Sequence, residues 1–248
     1  MKLSQGKTQQ SFTGDGDGVC RDLCNEFSEL FKPELGCLHG VQLEVEFKPE
    51  ARPIFCKPRS VPFAMREELA QAYDAGIARR VWTPTSVNDW GTPVVPVRKA
   101  SQTSNKPALR VCGDYSVTVN PQLETHRHLL RLPEELMRKL GGGYGFTKID
   151  LEDAYNQVRL GPKSRERLAL STHCRVLLQN VLPFGISFAP GYFQQVMDDI
   201  TSDLPGAAVY LDDILCSGAT AEAHLRNLRR LLERLRDKGL RCRLENAP

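Results

Sequence analysis

Three aspartates stand in apolar stretches of this chain, where an unpaired charge is costly. Tyr210-Leu211-Asp212-Asp213-Ile214-Leu215 sets two adjacent carboxylates at a turn between segments that otherwise read as buried strands. Like charges placed there repel and lose hydration, and cations between them relieve both problems. Divalent metals do this with oxygen ligands. The plainer alternative is a solvated Asp-Asp turn, which so short a motif does not exclude. A second segment, Lys148-Ile149-Asp150-Leu151-Glu152-Asp153-Ala154-Tyr155, carries an aspartate at the C-terminal end of another strand. A strand-end aspartate with one or two from a neighbouring hairpin suits two Mg²⁺ ions about 3.5–4 Å apart, the arrangement that activates a 3′-hydroxyl and stabilises departing pyrophosphate. For Asp150 the plainer alternative is a helix N-cap.

Positioning such carboxylates asks for a sheet. Ala207 to Cys216 reads as strand-turn-strand around the acidic pair, and Phe146 to Leu151 as a strand that is apolar except at Lys148 and Asp150. Asp153 to Val158 should then turn into a helix or tight loop. Before them, Gly141-Gly142-Gly143-Tyr144-Gly145 follows a short predicted helix, Pro133 to Leu140. A phosphate-cradling glycine loop precedes a helix, whereas this one precedes a strand, so its role is to end the helix.

The flanking elements are legible in outline. Val41 to Phe47 alternates as a half-buried strand, and the Pro-rich stretch Pro53 to Pro62 reads as extended chain. Phe63 to Ala75 is predicted to be a helix ended by Gly76, with Ile77 to Trp82 leading out of it. Pro93 to Arg98 and Ala108 to Cys112 should form a hairpin joined by Ser101 to Lys106, and Leu168 to Leu178 adds strand. Pro190 opens a helix with Tyr192, Phe193, Val196, Met197 and Ile200 on its apolar face. A last helix, Ala221 to Lys238, has Thr220 as N-cap, Leu225, Leu228, Leu232 and Leu235 on one face, and Gly239 as terminator. Residues 1–40 are polar enough to suggest a loosely ordered lead-in, and Asp15-Gly16-Asp17-Gly18 lacks the later oxygen ligands of a calcium loop. Strands separated by helices, with a hairpin in the middle, imply an α+β sheet carrying helices on one face.

Further blocks make a family visible. They are Trp90-Gly91-Thr92-Pro93-Val94-Val95-Pro96-Val97 with Arg98-Lys99, Leu109-Arg110-Val111-Cys112-Gly113-Asp114-Tyr115, Leu182-Pro183-Phe184-Gly185 and Ala189-Pro190-Gly191-Tyr192-Phe193-Gln194. With Phe146 to Tyr155 and the Tyr-Leu-Asp-Asp hairpin, in this order, the chain from about Phe31 to Arg243 resembles the reverse transcriptase of gypsy-type LTR retroelements. The resemblance implies a right-hand polymerase fold over residues 41–248. Its fingers would cover about 41–145 and 159–181, and its palm about 146–158 and 182–248. The implied activity is RNA-directed DNA polymerisation, adding deoxynucleotides to a primer on an RNA or DNA template with two Mg²⁺ ions, or Mn²⁺ in their place.

Residue roles follow from the same resemblance. Asp150, Leu151, Asp212 and Asp213 form the implied metal-binding set, with Asp150 on both metals, Asp212 completing the site and Asp213 in support. Lys99 and Arg110 match residues that neutralise the triphosphate, where composition alone would allow plain surface charge. Tyr155 matches the aromatic that lies under the sugar and rejects a ribose 2′-hydroxyl, and should face Phe184; the alternative is a core tyrosine. Phe184 and Gly185 match the loop beside the nucleotide, and Gln194 a position near the template. Ser116 departs from the family, many of whose members carry arginine there. The family continues past the last helix into a primer-grip hairpin, thumb, RNase H and integrase, none of which is expected within these residues.

Composition adds bounds. Thirty-three Lys and Arg against 30 Asp and Glu give a net charge of only +3, too small to announce a nucleic-acid partner. The distribution says more, because eight basic residues against two acidic ones make Arg226 to Arg243 a cationic stripe. The eight cysteines have neither disulfide-framework nor zinc spacing, so reduced thiols are expected. No stretch of about 18 apolar residues and no leader is present, which suggests an intracellular protein, cytoplasmic or nuclear, without a membrane partner. Neither His-Glu-x-x-His nor Gly-x-Ser-x-Gly occurs, so hydrolase chemistry lacks support. Two other readings stay open: a truncated or domesticated remnant that binds nucleic acid or a protein without catalysis, and a Pol fragment named for its parent's RNase H.

Overall fold

The computed structural model describes residues 2–4, 16–99, 108–124, 133–143 and 145–243. In chain order the first elements are β1 (Lys2–Ser4), α1 (Gly16–Glu26), β2 (Gln42–Leu43), α2 (Phe63–Ala78), β3 (Trp82–Thr85), β4 (Thr92–Lys99) and β5 (Ala108–Gly113). Next come α3 (Pro133–Lys139), β6 (Gly145–Asp150), β7 (Arg159–Leu160), α4 (Pro162–Arg167), β8 (Leu170–Ser171) and β9 (Val176–Gln179). The chain ends with α5 (Ala189–Thr201), β10 (Ala207–Tyr210), β11 (Asp213–Gly218) and α6 (Ala221–Asp237). They fall into two compact units, one made of Met1–His39, His126–Gln157 and Pro190–Pro248, the other of Gly40–Thr125 and Val158–Ala189.

In the first unit an antiparallel sheet runs in the order β1-β6-β11-β10. Alternation divides it into two faces. Thr147 and Ile149 point to the face covered by α6, whose buried His224 shares a 2.7 Å hydrogen bond with the Thr147 hydroxyl. On the opposite face Phe146, Leu215 and Ala208 pack against Leu136 and Leu140 at the end of α3. α6 forms as its pattern predicts, with the Thr220 hydroxyl accepting from Ala223 N–H and Leu228, Leu231, Leu232 and Leu235 buried.

The lead-in is more ordered than its polarity suggests. α1 and the 3₁₀ turn Ser28–Phe31 bury Leu23, Phe27 and Leu30, and Arg236 of α6 lies over the Phe27 ring. Three apolar side chains at helical spacing outweigh the polar residues between them. Residues 5–15, with only the first residue of the Asp-Gly run, lie outside the described residues, and Gly16-Asp17-Gly18 opens α1.

The second unit has a five-stranded sheet, β3-β9-β8-β4-β5, and a short parallel pair, β2 with β7. β4 and β5 form the predicted hairpin, with Val97 opposite Arg110 and Lys99 opposite Ala108; the joining loop is outside the described residues. Gly76 does not end its helix. It sits inside α2 because a Cβ there would lie 2.1 Å from the Trp82 ring, and the chain instead leaves the helix at Arg80, φ 60°.

Candidate active site

The acidic residues are placed by strand register. Asp213 of β11 stands directly opposite Asp150 of β6, so both carboxylates rise from the same face of the sheet. Lys148 is two residues before Asp150 and shares that face. Its Nζ lies 3.1 Å from Asp150 Oδ1 and 3.0 Å from Asp213 Oδ1. Burial acts to raise the Asp150 carboxyl, but the hydrogen bond to Asp213 and the ammonium of Lys148 outweigh it and hold Asp150 below its ordinary value. Asp213 moves the other way, since burial and its contact with Asp150 exceed what Lys148 returns. The pair therefore divides its proton affinity unequally.

A two-residue hairpin turn, Leu211-Asp212, presents the acids. Leu211 has φ 55°, a left-handed backbone uncommon for a branched residue, and such strain persists only where neighbours hold it. Gln194 does so. Fully buried on α5, it accepts from Leu211 N–H at 2.8 Å and donates to Val209 O at 3.1 Å, with a further bond to Asp198. Beneath, Leu151 N–H donates to Asp212 O and Arg243 N–H to Asp150 O, at 3.2 and 2.8 Å.

Not every expected residue converges. Of Asp150, Asp212 and Asp213, expected to meet at one point, the first and third are paired across the strands and Asp212 is exposed at the turn between them. Among the described residues no group of three His, Cys, Asp or Glu side chains is gathered as a metal cage. Leu151, placed in the same set, has a buried side chain and contributes backbone.

Tyr155 is half-buried, its hydroxyl raised by burial and by the nearby Asp212 carboxylate. Its ring meets Phe193 edge-on at 5.3 Å rather than standing free of the core. Gln194, expected near the template, is buried, and its amide holds the hairpin.

The second unit holds the expected cations. Arg110 is exposed on β5 and lies 5.7 Å from the Phe184 ring centre, while Lys99 ends β4 with its side chain outside the described residues. Gly185 adopts φ +93°, and its carbonyl accepts from Asn120 Nδ2 at 2.9 Å, while Asn120 Oδ1 accepts from Ser187 N–H. Asn120 thus shapes the Phe184-Gly185 loop, a role no local motif signals. At the departure from the family pattern, Ser116 donates to Asp114, and Arg59 from the Pro-rich stretch forms the ion pair with that aspartate. Sequence reasoning missed Lys148, although its spacing of two from Asp150 in a strand was the signal that could have found it.

The profile described as reverse transcriptase (RNA-dependent DNA polymerase) matches residues 97–245. The chain belongs to the reverse transcriptase family. It is 32% identical over 230 residues, 91% of its length, to the Caenorhabditis elegans uncharacterized protein K02A2.6, of which it spans 17%. It is 29% identical over 209 residues to the Transposon Tf2-3 polyprotein of Schizosaccharomyces pombe, covering 82% of this chain and 15% of that polyprotein. Among solved structures, the foamy viral protease-reverse transcriptase in complex with RNA/DNA hybrid superposes with a TM-score of 0.80 at 19% identity, over 93% of this chain and 31% of that one. The native prototype foamy virus enzyme gives 0.79 at 18% identity, over 98% and 31%. The α+β polymerase fold of a reverse transcriptase is therefore present, in a chain spanning under a fifth of the curated relatives it matches. Among the described residues no helix is long and apolar enough to cross a membrane.

Proposed function

We propose that this reverse transcriptase chain carries the polymerising centre of RNA-directed DNA synthesis, with its first unit as palm and its second as fingers. The observation that carries the reading is the register of Asp213 opposite Asp150, at the mouth of a strained turn that exposes Asp212. Asp150 Oδ1 is buried against the Lys148 ammonium at 3.1 Å, so its charge is already balanced by one cation whose place a divalent ion could take. This is the fit expected for Mg²⁺ or Mn²⁺ held by Asp150, Asp212, Asp213 and the backbone at Leu151. When bound, two such ions would supply activation of the primer hydroxyl and stabilisation of pyrophosphate.

The protein's own contribution is positioning. Gln194 keeps the hairpin from relaxing, so that the carboxylates need not reorganise during turnover. Arg110 offers an exposed guanidinium, stacked on Phe184, to a nucleotide triphosphate, and Lys99 stands on the paired strand. Tyr155 supplies a half-buried aromatic surface near Asp212 suited to a deoxyribose. Its partners would be a primer annealed to RNA or DNA, and deoxynucleoside triphosphates. The test is homopolymer primer extension on this chain and on its parent extended through a thumb. Metal-dependent synthesis lost in Asp150→Asn supports the reading, and equal synthesis by the mutant rejects it.

A further inference from the structure

Lys148 carries a positive charge into a centre that metals alone would balance. Strand register puts it there: it lies on the same face as Asp150, opposite Leu215, and its ammonium contacts both Asp150 Oδ1 and Asp213 Oδ1. Its side chain is 45% exposed, so the ammonium can withdraw into water without burying its charge elsewhere. A lysine suits such a role better than an arginine, since the compact ammonium on a flexible stem does not lock two oxygens bidentately.

Resting on the polymerase reading above, we propose that Lys148 is a tethered counter-ion of the metal centre. Its ammonium bridges Asp150 and Asp213 while no divalent cation is bound, and it is displaced when one binds. Lys148 then sets the metal concentration at which the centre loads, and it keeps the two carboxylates together until that point. Lys148 is a positioning residue here, acting on the ligands and not on the reacting atoms.

The experiment is direct Mn²⁺ binding, followed by the loss of the free-ion electron paramagnetic resonance signal at fixed pH and ionic strength. It needs no turnover. Lys148→Met should bind Mn²⁺ about three- to tenfold more tightly, as for a site whose competent form was populated only about a third to a tenth of the time. Lys148→Arg, which retains the charge, should bind no more tightly than wild type. Lys148→Gln, run in parallel, covers the case that the methionine variant misfolds. Unchanged or weaker binding in Lys148→Met and Lys148→Gln, with Asp150→Asn abolishing binding, overturns the counter-ion role and leaves the polymerase reading standing. Wild-type binding in Asp150→Asn removes the metal centre itself and the role of Lys148 with it.

Discussion

The two hairpins that bear the charges are built differently. In the first unit the β10–β11 turn is held by buried Gln194 and by backbone bonds from Leu151 and Arg243, so the carboxylates have little freedom. In the second unit the β4–β5 hairpin presents Arg110 at the surface, restrained by one aromatic face. The difference follows from the cost of each charge. Clustered carboxylates repel and must be held at fixed spacing for a cation, while a lone guanidinium stays hydrated and can reach a phosphate from a range of positions. One hairpin is clamped from beneath, and the other presents its charge to solvent.

That contrast can be broken, and the largest effect should come from the rigid side. Asp150→Asn should lower primer extension by about 10³-fold or more, the scale of losing a principal transition-state contact, with unfolding by urea nearly unchanged. Arg110→Ala should cost less, about tenfold in kcat/KM for the deoxynucleotide, because Lys99 retains part of the cationic field. If Arg110→Ala matched Asp150→Asn, the second hairpin would need fixed geometry as strictly as the first.

Gln194→Ala removes the clamp beneath the turn. It leaves the part-buried Leu211 N–H and the buried Val209 O without this partner, so stability should fall by about 2–3 kcal/mol in urea unfolding. Extension should fall further than the unfolded fraction explains. A loss of stability with undiminished activity of the folded protein would mean that the strained turn does not need its clamp.

The support under the sheet should respond to acid. Burial lowers the His224 imidazole below its ordinary value of 6.5, against a hydrogen bond to Gly145 O that acts to raise it. Its neutral form is therefore the folded one. As pH falls through about 6.5 the unfolded chain takes up the proton first, and stability drops with a slope of at most about 1.4 kcal/mol per pH unit. His224→Gln should remove this dependence between pH 7.5 and 5.5, and an equally acid-sensitive variant would assign it elsewhere.

The smallest effect is expected at the basic helix. Arg229 pairs with Glu26, Arg234 with Asp203 and the Ile200 carbonyl, and Arg236 lies over Phe27. Replacing Arg229 and Arg234 by alanine should leave the slope of log affinity for primer-template against log salt unchanged, where two true phosphate contacts would flatten it by nearly 2 units. A flattened slope would return the helix to nucleic-acid binding.

Much was legible in the order of residues. Period-two and helical patterns located β6, the β10–β11 hairpin, α5 and α6, since alternation and caps are local properties. The acidic motifs were legible for the same reason: an aspartate in an apolar strand is visible without any fold. Gly76 misled, because only the Trp82 ring, brought close by folding, explains a glycine inside α2. The polar lead-in misled too, as three buried side chains suffice to order it.

By itself the sequence determined the family, the sheet-and-helix elements and the identity of the three aspartates, each written within a few consecutive residues. The folded structure was needed to see that Lys148 bridges Asp150 and Asp213, that Asp212 is exposed at the turn, that Gln194 clamps that turn and that the arginines of α6 are mostly engaged within the protein. Each of those depends on strand register or on the packing of segments far apart in the chain. A shift of one residue in register would carry Asp213 to the other face of the sheet, and nothing in a local pattern specifies which residue will stand opposite it.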